Sequence, residues 1–369
     1  MKRLTLIFLG STGAGPAYSI EMAKALSALR VYKLHIVISK RVSNLNDWVN
    51  CFQNTNVRLD VVDTYGHNKL DFVLSSLSFW KVNHIVKLIS NFKPDCLYAP
   101  FLLTWDFLIY PRLYKKMRII ATLHDPHPHD SLNNPFEKWI RYQNKKSYKY
   151  VNDVVILNKS DVSFVKANYC SNVHVIPHAS FSYYVNSLAE DTQLKYKIGF
   201  IGRIEPYKGL DLLVDAFLKL DERFNLIIAG SGKIDNSTLQ KITSNNRIEL
   251  INRYIKDDEF SVLLNKMDVV VLPYKRASQS GVIPLVFAHG KPVIVTNVGA
   301  LEEQVPEGTG IVTKADVDSL VKSIFSLYNN PQLILEYGKM AKFYAETNLS
   351  WEHSAKLLND IIADSDNHK

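Results

Sequence analysis

Two consecutive α/β units, each a doubly wound parallel sheet, are what this sequence predicts, and three observations predict them. Short β-branched runs ending in Gly, Asn, Asp or Pro alternate with stretches of helical period, the signature of repeated βαβ units. The pattern runs through the first half of the chain, lapses, and restarts in the second. A chain of 369 residues also has room for two units of about 100 to 200 residues each.

In the first half, strands are expected at residues 4–9, 34–39, 96–99, 118–123, 154–157 and 173–176. A helix beginning near Pro16 places Tyr18, Met22, Ala25, Leu26 and Leu29 on one face. Residues 182–195 are polar and aperiodic and read as a linker, which sets the units at 1–185 and 186–369. In the second half, strands are expected at 197–201, 226–229, 248–251, 269–272, 293–296 and 311–313. A helix from Leu210 is expected to bury Leu213, Val214, Phe217 and Leu218.

Apolar residues make up 47% of the chain and charged residues 22%, the balance of a soluble globular protein. No run approaches the ~20 apolar residues that span a bilayer, and the apolar start runs directly into a Gly-rich turn, unlike a signal peptide. Cys51, Cys96 and Cys170 are scattered, odd in number and without metal-ligand spacing, which fits reduced thiols in a cytoplasm. The formal charge of +8 permits an anionic partner but does not select one. Two clusters, Tyr114-Lys115-Lys116-Met117-Arg118 and Arg141-Tyr142-Gln143-Asn144-Lys145-Lys146, fit either a solvated helix face or a lipid-facing patch. No nucleic-acid motif accompanies the charge.

Ligands of open parallel sheets bind outside the carboxyl ends of the strands, so the loops there are where chemistry is expected. The first is Gly10-Ser11-Thr12-Gly13-Ala14-Gly15-Pro16, where Gly13 and Gly15 suit either a tight turn or close approach to a substrate phosphate at a helix start. Next comes His124-Asp125-Pro126-His127-Pro128-His129-Asp130, stiffened by its prolines. Its histidines invite a metal, yet the usual zinc spacings are absent. The alternatives are that His124 contacts a substrate's transferred group while Asp125 or His129 lies near an accepting hydroxyl, or that the turn is structural.

In the second half, Gly202-Arg203-Ile204-Glu205-Pro206-Tyr207-Lys208-Gly209 joins a strand to a helix and sets two cations, Arg203 and Lys208, at the sheet edge. Preorganised cations stabilise a leaving diphosphate more in the transition state than in the ground state. The segment Pro273 to Pro284 follows another strand, and Ser280 and Gly281 there are good helix caps. The N–H groups of Gly281 and Val282 are thereby expected to face an anion.

Taken together, Gly202-Arg203, Lys208-Gly209, Asp268-Val269-Val270-Val271-Leu272-Pro273, Gly290-Lys291-Pro292-Val293-Ile294 and Asn297-Val298-Gly299-Ala300-Leu301-Glu302-Glu303 resemble family 4 of the retaining glycosyltransferases. His124-Asp125 and Ile176-Pro177-His178 extend the resemblance into the first half. It implies the GT-B fold, two Rossmann-like domains facing a cleft, and metal-independent catalysis with no cofactor beyond a nucleoside-diphosphate-sugar donor. Carried over, it gives the diphosphate to Arg203 and Lys208, its cradle to Gly202 and Ser280 to Val282, the base to Ile255 and the donor sugar to His124. The helix at Trp351-Glu352 resembles the segment that returns to the first domain.

The chain departs from the family in one respect. Two glutamates usually precede the Gly-Lys-Pro turn, and Ala277 and Leu285 stand in their places. Glu302 and Glu303 are the carboxylates left to cover part of that role. The resemblance implies a retaining, cytoplasmic hexosyltransferase of bacterial envelope or exopolysaccharide synthesis, acting on a saccharide or polyprenyl-diphosphate-linked acceptor. Peripheral contact with an anionic membrane would fit that role. The alternatives are a nucleotide-sugar epimerase of the same fold and a non-catalytic nucleotide-sugar-binding partner.

Overall fold

A computed structural model describes residues 1–64, 78–102, 105–127, 142, 145–181 and 195–364. His129 and the expected boundary at 185 and 186 lie outside the described residues. The chain divides into two compact units, Met1–Ile176 with Trp351–Lys369, and Pro177–Ser350.

The first unit contains β1 (Lys2–Phe8), α1 (Gly15–Ala28), β2 (Tyr32–Ser39), α2 (Leu45–Phe52), β3 (Arg58–Val62), α3 (Phe79–Phe92), β4 (Cys96–Ala99), α4 (Asp106–Leu113), β5 (Arg118–Leu123), β6 (Asp153–Ile156), α5 (Val162–Asn168) and β7 (Val173–Val175). Its seven strands are parallel in the order β3-β2-β1-β4-β5-β6-β7. Every residue of β4 and β6 is buried, as expected of strands covered on both faces. The edge strand β3 carries Arg58 and Asp60 and has one buried residue, Val62, so its weak apolar signal is missed by the periodicity.

The second unit contains β8 (Lys197–Ile201), α6 (Leu210–Phe217), β9 (Asn225–Ala229), α7 (Asn236–Thr243), β10 (Ile248–Ile251), α8 (Asp257–Lys266), β11 (Val269–Leu272), α9 (Val282–Ala288), β12 (Val293–Thr296), β13 (Gly310–Thr313), α10 (Val317–Tyr328) and α11 (Pro331–Asn348). Its six parallel strands run β10-β9-β8-β11-β12-β13. One expectation fails on α6: Leu218 is 40% exposed, because the helix ends at Phe217 and Leu218 caps it instead of continuing the apolar stripe. The buried Asp268 carboxylate accepts the Lys195 and Lys197 N–H groups and the Tyr328 hydroxyl, tying the starts of β8 and β11 together.

The last helix, α12 (Trp351–Asp364), belongs to the first unit and packs on α1. The Trp351 ring meets Tyr18 edge-on at 4.8 Å, Tyr32 donates to Asn359 Oδ1 at 2.8 Å, and Arg118 Nη1 donates to the Ile361 carbonyl at 2.7 Å. The fold class is the one expected, a pair of doubly wound parallel sheets, each with its own apolar core.

Candidate active site

Both sheets reverse their strand order beside their first strand, between β1 and β4 and between β8 and β11. Such a switch point leaves a crevice at the carboxyl edge where ligands bind. In the second unit, the loops after β8 and β11 supply that crevice.

The chain leaves β8 through Gly202 at φ +124, a conformation that L side chains rarely adopt. A Cβ on Gly202 would stand 3.4 Å from both Lys208 Nζ and Val282 Cγ2, so bare backbone, a cation and the first turn of α9 converge. Residues Pro206–Lys208 form a 3-10 turn closed by Gly209 at φ +68. A Cβ on Gly209 would lie 2.0 Å from the Pro273 carbonyl, and Lys275 N–H donates to the Tyr207 carbonyl at 2.7 Å. The two loops are therefore locked together backbone to backbone.

Lys208 is 8% exposed, and its ammonium sits 5.1 Å from the Tyr274 ring centroid. Burial, and then the neighbouring Arg203 guanidinium, lower its pKa to about 8, against a smaller opposing pull from Glu205. Arg203 itself is exposed. A bound diphosphate would favour the charged ammonium, since an opposite charge at close range raises a lysine pKa. Donor affinity is thus expected to hold below about pH 8 and to fall as pH rises through that value, while Lys208→Arg, charged throughout, flattens the profile. Calorimetric donor titrations across that range check it.

Ser280 is held from several sides. Its N–H donates to Gln304 Oε1 at 2.7 Å and its carbonyl accepts Gln304 Nε2 at 3.2 Å. Its hydroxyl lies 3.3 Å from the Tyr274 hydroxyl and accepts the Val282 N–H at 3.3 Å, so that amide is engaged within the loop rather than aimed outward. Tyr274 is itself buried and its carbonyl accepts from Thr296 Oγ1. Gln304 and Tyr274 were not singled out by sequence reasoning, and no motif marks them. With about 1 kcal/mol for each of the two hydrogen bonds to Ser280, Gln304→Ala is expected to raise the donor KM by up to about 30-fold while leaving the fold intact, which steady-state kinetics with circular dichroism would test.

His178, part of the Ile176-Pro177-His178 run that carries the resemblance, lies at the same place. It is buried, its Nδ1 donates to the Ala179 carbonyl at 2.8 Å, and burial lowers its pKa. Its Nε2 lies 3.7 Å from where a Gly281 Cβ would stand, which brings the segment after β7 to the start of α9. Ile255 is buried in the core beside Tyr274 and Ile283, Glu303 is exposed, Ala277 is half-buried and Leu285 is packed in the core.

In the first unit, the β1 loop passes through Gly13 at φ +84 with open space on its Cβ side, and Gly15 opens α1 against the Phe8 ring. His124 is half-buried, stacks on Phe101 at 3.7 Å and 13°, and meets Tyr18 edge-on at 4.7 Å. Its Nε2 donates to the Pro100 carbonyl at 2.9 Å. Asp125 is half-buried beside it. His127 points elsewhere, to Asp161 Oδ1 at 2.8 Å, so the histidines described in this loop do not converge on one point. Among the described residues no group of three His, Cys, Asp or Glu could hold a metal ion.

These features meet a known family in the second unit. Residues 195–330 match the family model for glycosyl transferases group 1. An uncharacterized glycosyltransferase of Methanocaldococcus jannaschii is 33% identical over 162 residues, 42% of this chain and 45% of its own length. A GDP-mannose-dependent monoacylated alpha-(1-6)-phosphatidylinositol monomannoside mannosyltransferase of Corynebacterium glutamicum is 27% identical over 173 residues, 43% of this chain and 45% of its own. These alignments span less than half of either relative's length. Anabaena HepE, solved with UDP, superimposes with a TM-score of 0.75 at 16% identity, over 99% of this chain and 100% of that one. That likeness shows the GT-B fold.

Proposed function

We propose that the protein is a retaining glycosyltransferase that moves a sugar from a nucleoside-diphosphate donor to a saccharide or lipid-linked saccharide acceptor. The observation that carries the proposal is the convergence of Gly202, buried Lys208 and the first turn of α9 at the switch point of the second sheet. A diphosphate leaving group accumulates negative charge as the glycosidic bond breaks, and a desolvated, fixed ammonium stabilises that charge more strongly than a solvated one. Gly202, with no side chain, lets the phosphates approach the backbone.

In this reading Arg203 adds a second cation from the exposed rim, Ser280 to Val282 border the phosphates, and Ile255 lies beside the base. Glu303, exposed, is assigned to the ribose where the family's glutamates are replaced by Ala277 and Leu285. The first unit takes the acceptor through the Gly13, Gly15 and Asp125 loops, and His124, oriented by Pro100 and Phe101, touches the transferred sugar. The segment's match to glycosyl transferases group 1 and the activities named for its relatives favour transfer over epimerisation. No metal or cofactor is assigned a part.

Incubation with labelled UDP- and GDP-sugars and polyprenyl-diphosphate saccharides tests the proposal. A glycosylated product with the donor's anomeric configuration supports it. An epimerised nucleotide sugar formed without acceptor, or donor binding with no transfer across the panel, refutes it.

A further inference from the structure

We infer that the amino edge of the first unit's sheet is a docking surface for an anionic lipid bilayer. The inference stands apart from the donor site, which lies in the other unit. The seven parallel strands of the first sheet all begin at one edge, opposite the carboxyl edge that carries the His124 loop. The described lysines of the two basic clusters, Lys115 and Lys116 ahead of β5 and Lys145 and Lys146 ahead of β6, neighbouring strands, are thereby brought together at the starting edge.

Ring contacts join them into one surface. Tyr114 packs on Tyr150 at 4.9 Å and Tyr148 on Tyr169 at 4.9 Å, while Lys115, Lys145 and Lys146 lie 5.8, 5.5 and 4.3 Å from the rings of Tyr114, Tyr169 and Tyr142. Arg112, Lys115, Lys116, Lys145, Lys146 and Lys149 are all exposed, and among the described residues no ion pair joins any of them to a carboxylate. Asp106 is buried, and Asp153 is committed to Arg118 and His174.

The charge is segregated on the scale of the whole chain. Met1–Ile176 with Trp351–Lys369 carries 25 Lys and Arg against 16 Asp and Glu, whereas Pro177–Ser350 carries 19 against 20. The excess that gives the protein its +8 therefore belongs to the first unit.

Apolar side chains on the same edge select a bilayer over a dissolved polyanion. Met1, just ahead of β1, is 82% exposed, Val31, just ahead of β2, is 46% exposed, and Tyr142 is 57% exposed. A lipid interface rewards such groups beside lysines, since the apolar parts enter the headgroup boundary while the ammonium groups meet phosphate. A solvated polyanion gains little from them. No helix among the described residues is long and apolar enough to cross a membrane, so this contact would be peripheral.

Flotation of the full chain with vesicles tests the inference. Binding is expected to equimolar phosphatidylcholine and phosphatidylglycerol at low salt, and to be lost on pure phosphatidylcholine or at high salt. At about 1 kcal/mol, or about 5-fold, per lysine at the surface, the quadruple variant Lys115→Glu, Lys116→Glu, Lys145→Glu, Lys146→Glu should partition more than 100-fold less. Lys322→Glu with Lys339→Glu, two exposed lysines of the second unit, should change nothing. Thermal melts and donor titrations of the quadruple variant, both expected unchanged, separate loss of docking from loss of fold or of the donor site. Equal binding of wild type and quadruple variant, equal binding to neutral vesicles, or binding to polyglutamate or RNA with none to vesicles overturns the inference.

Discussion

Lys208→Ala is expected to lower kcat by about 10²–10³-fold, the cost of removing one preorganised group that stabilises developing anionic charge. The size follows from burial. The ammonium of a lysine only 8% exposed, in a site bordered by Tyr274, acts through a medium far less screening than water, whereas exposed Arg203 acts partly through solvent. Arg203→Ala should therefore cost less, roughly 10-fold. The same burial predicts an opposite effect on stability, because the free protein bears the desolvation of an unpaired charge, visible in the lowered pKa of Lys208. Lys208→Met should thus be inactive yet melt no lower than the wild type. Turnover of either variant at the wild-type level would remove Lys208 from the mechanism.

Gly209→Ala is expected to cost about 2–4 kcal/mol of folding stability. Two effects add. At φ +68 the new Cβ meets the left-handed penalty of about 1–2 kcal/mol, and it would lie 2.0 Å from the Pro273 carbonyl, which belongs to the other loop of the site. Relief requires the β8 and β11 loops to part, so the donor KM should rise together with the loss of stability. Gly13→Ala separates the terms: it too has a left-handed backbone, at φ +84, but nothing lies within 4 Å of its Cβ position. Urea unfolding of the two variants should show the smaller loss at Gly13. Equal losses would mean that the contact with Pro273 adds nothing.

Much of this architecture was legible in the sequence because strands buried on both faces must be written in β-branched residues. The runs Val269–Leu272 and Val293–Thr296 are wholly buried and were readable to the residue. Strand β3 was not, since an edge strand with Arg58 and Asp60 need not be apolar. Around the proposed donor site, Gly202, Lys208 and Ser280 stand out in the sequence because glycines and cations at a strand end have few other uses. The residues that hold them there do not. Gln304 reaches Ser280 from 24 positions away, and Tyr274 links Lys208 to Ser280 by a ring face on one side and a hydroxyl on the other. Such contacts depend on which loops share a sheet edge, and that is decided by strand order, not local pattern. At the Val282 amide, local capping logic expects an anion, and the Ser280 hydroxyl takes that N–H instead. The basic clusters are similar: each was visible, but their union across β5 and β6 required the topology.

A crystal structure with UDP or GDP bound would test the donor site most directly. The diphosphate is predicted to lie within hydrogen-bonding distance of Lys208 Nζ, against Gly202 and the first turn of α9. A diphosphate seated elsewhere, with Lys208 still packed on Tyr274 and touching no phosphate oxygen, would contradict the assignment.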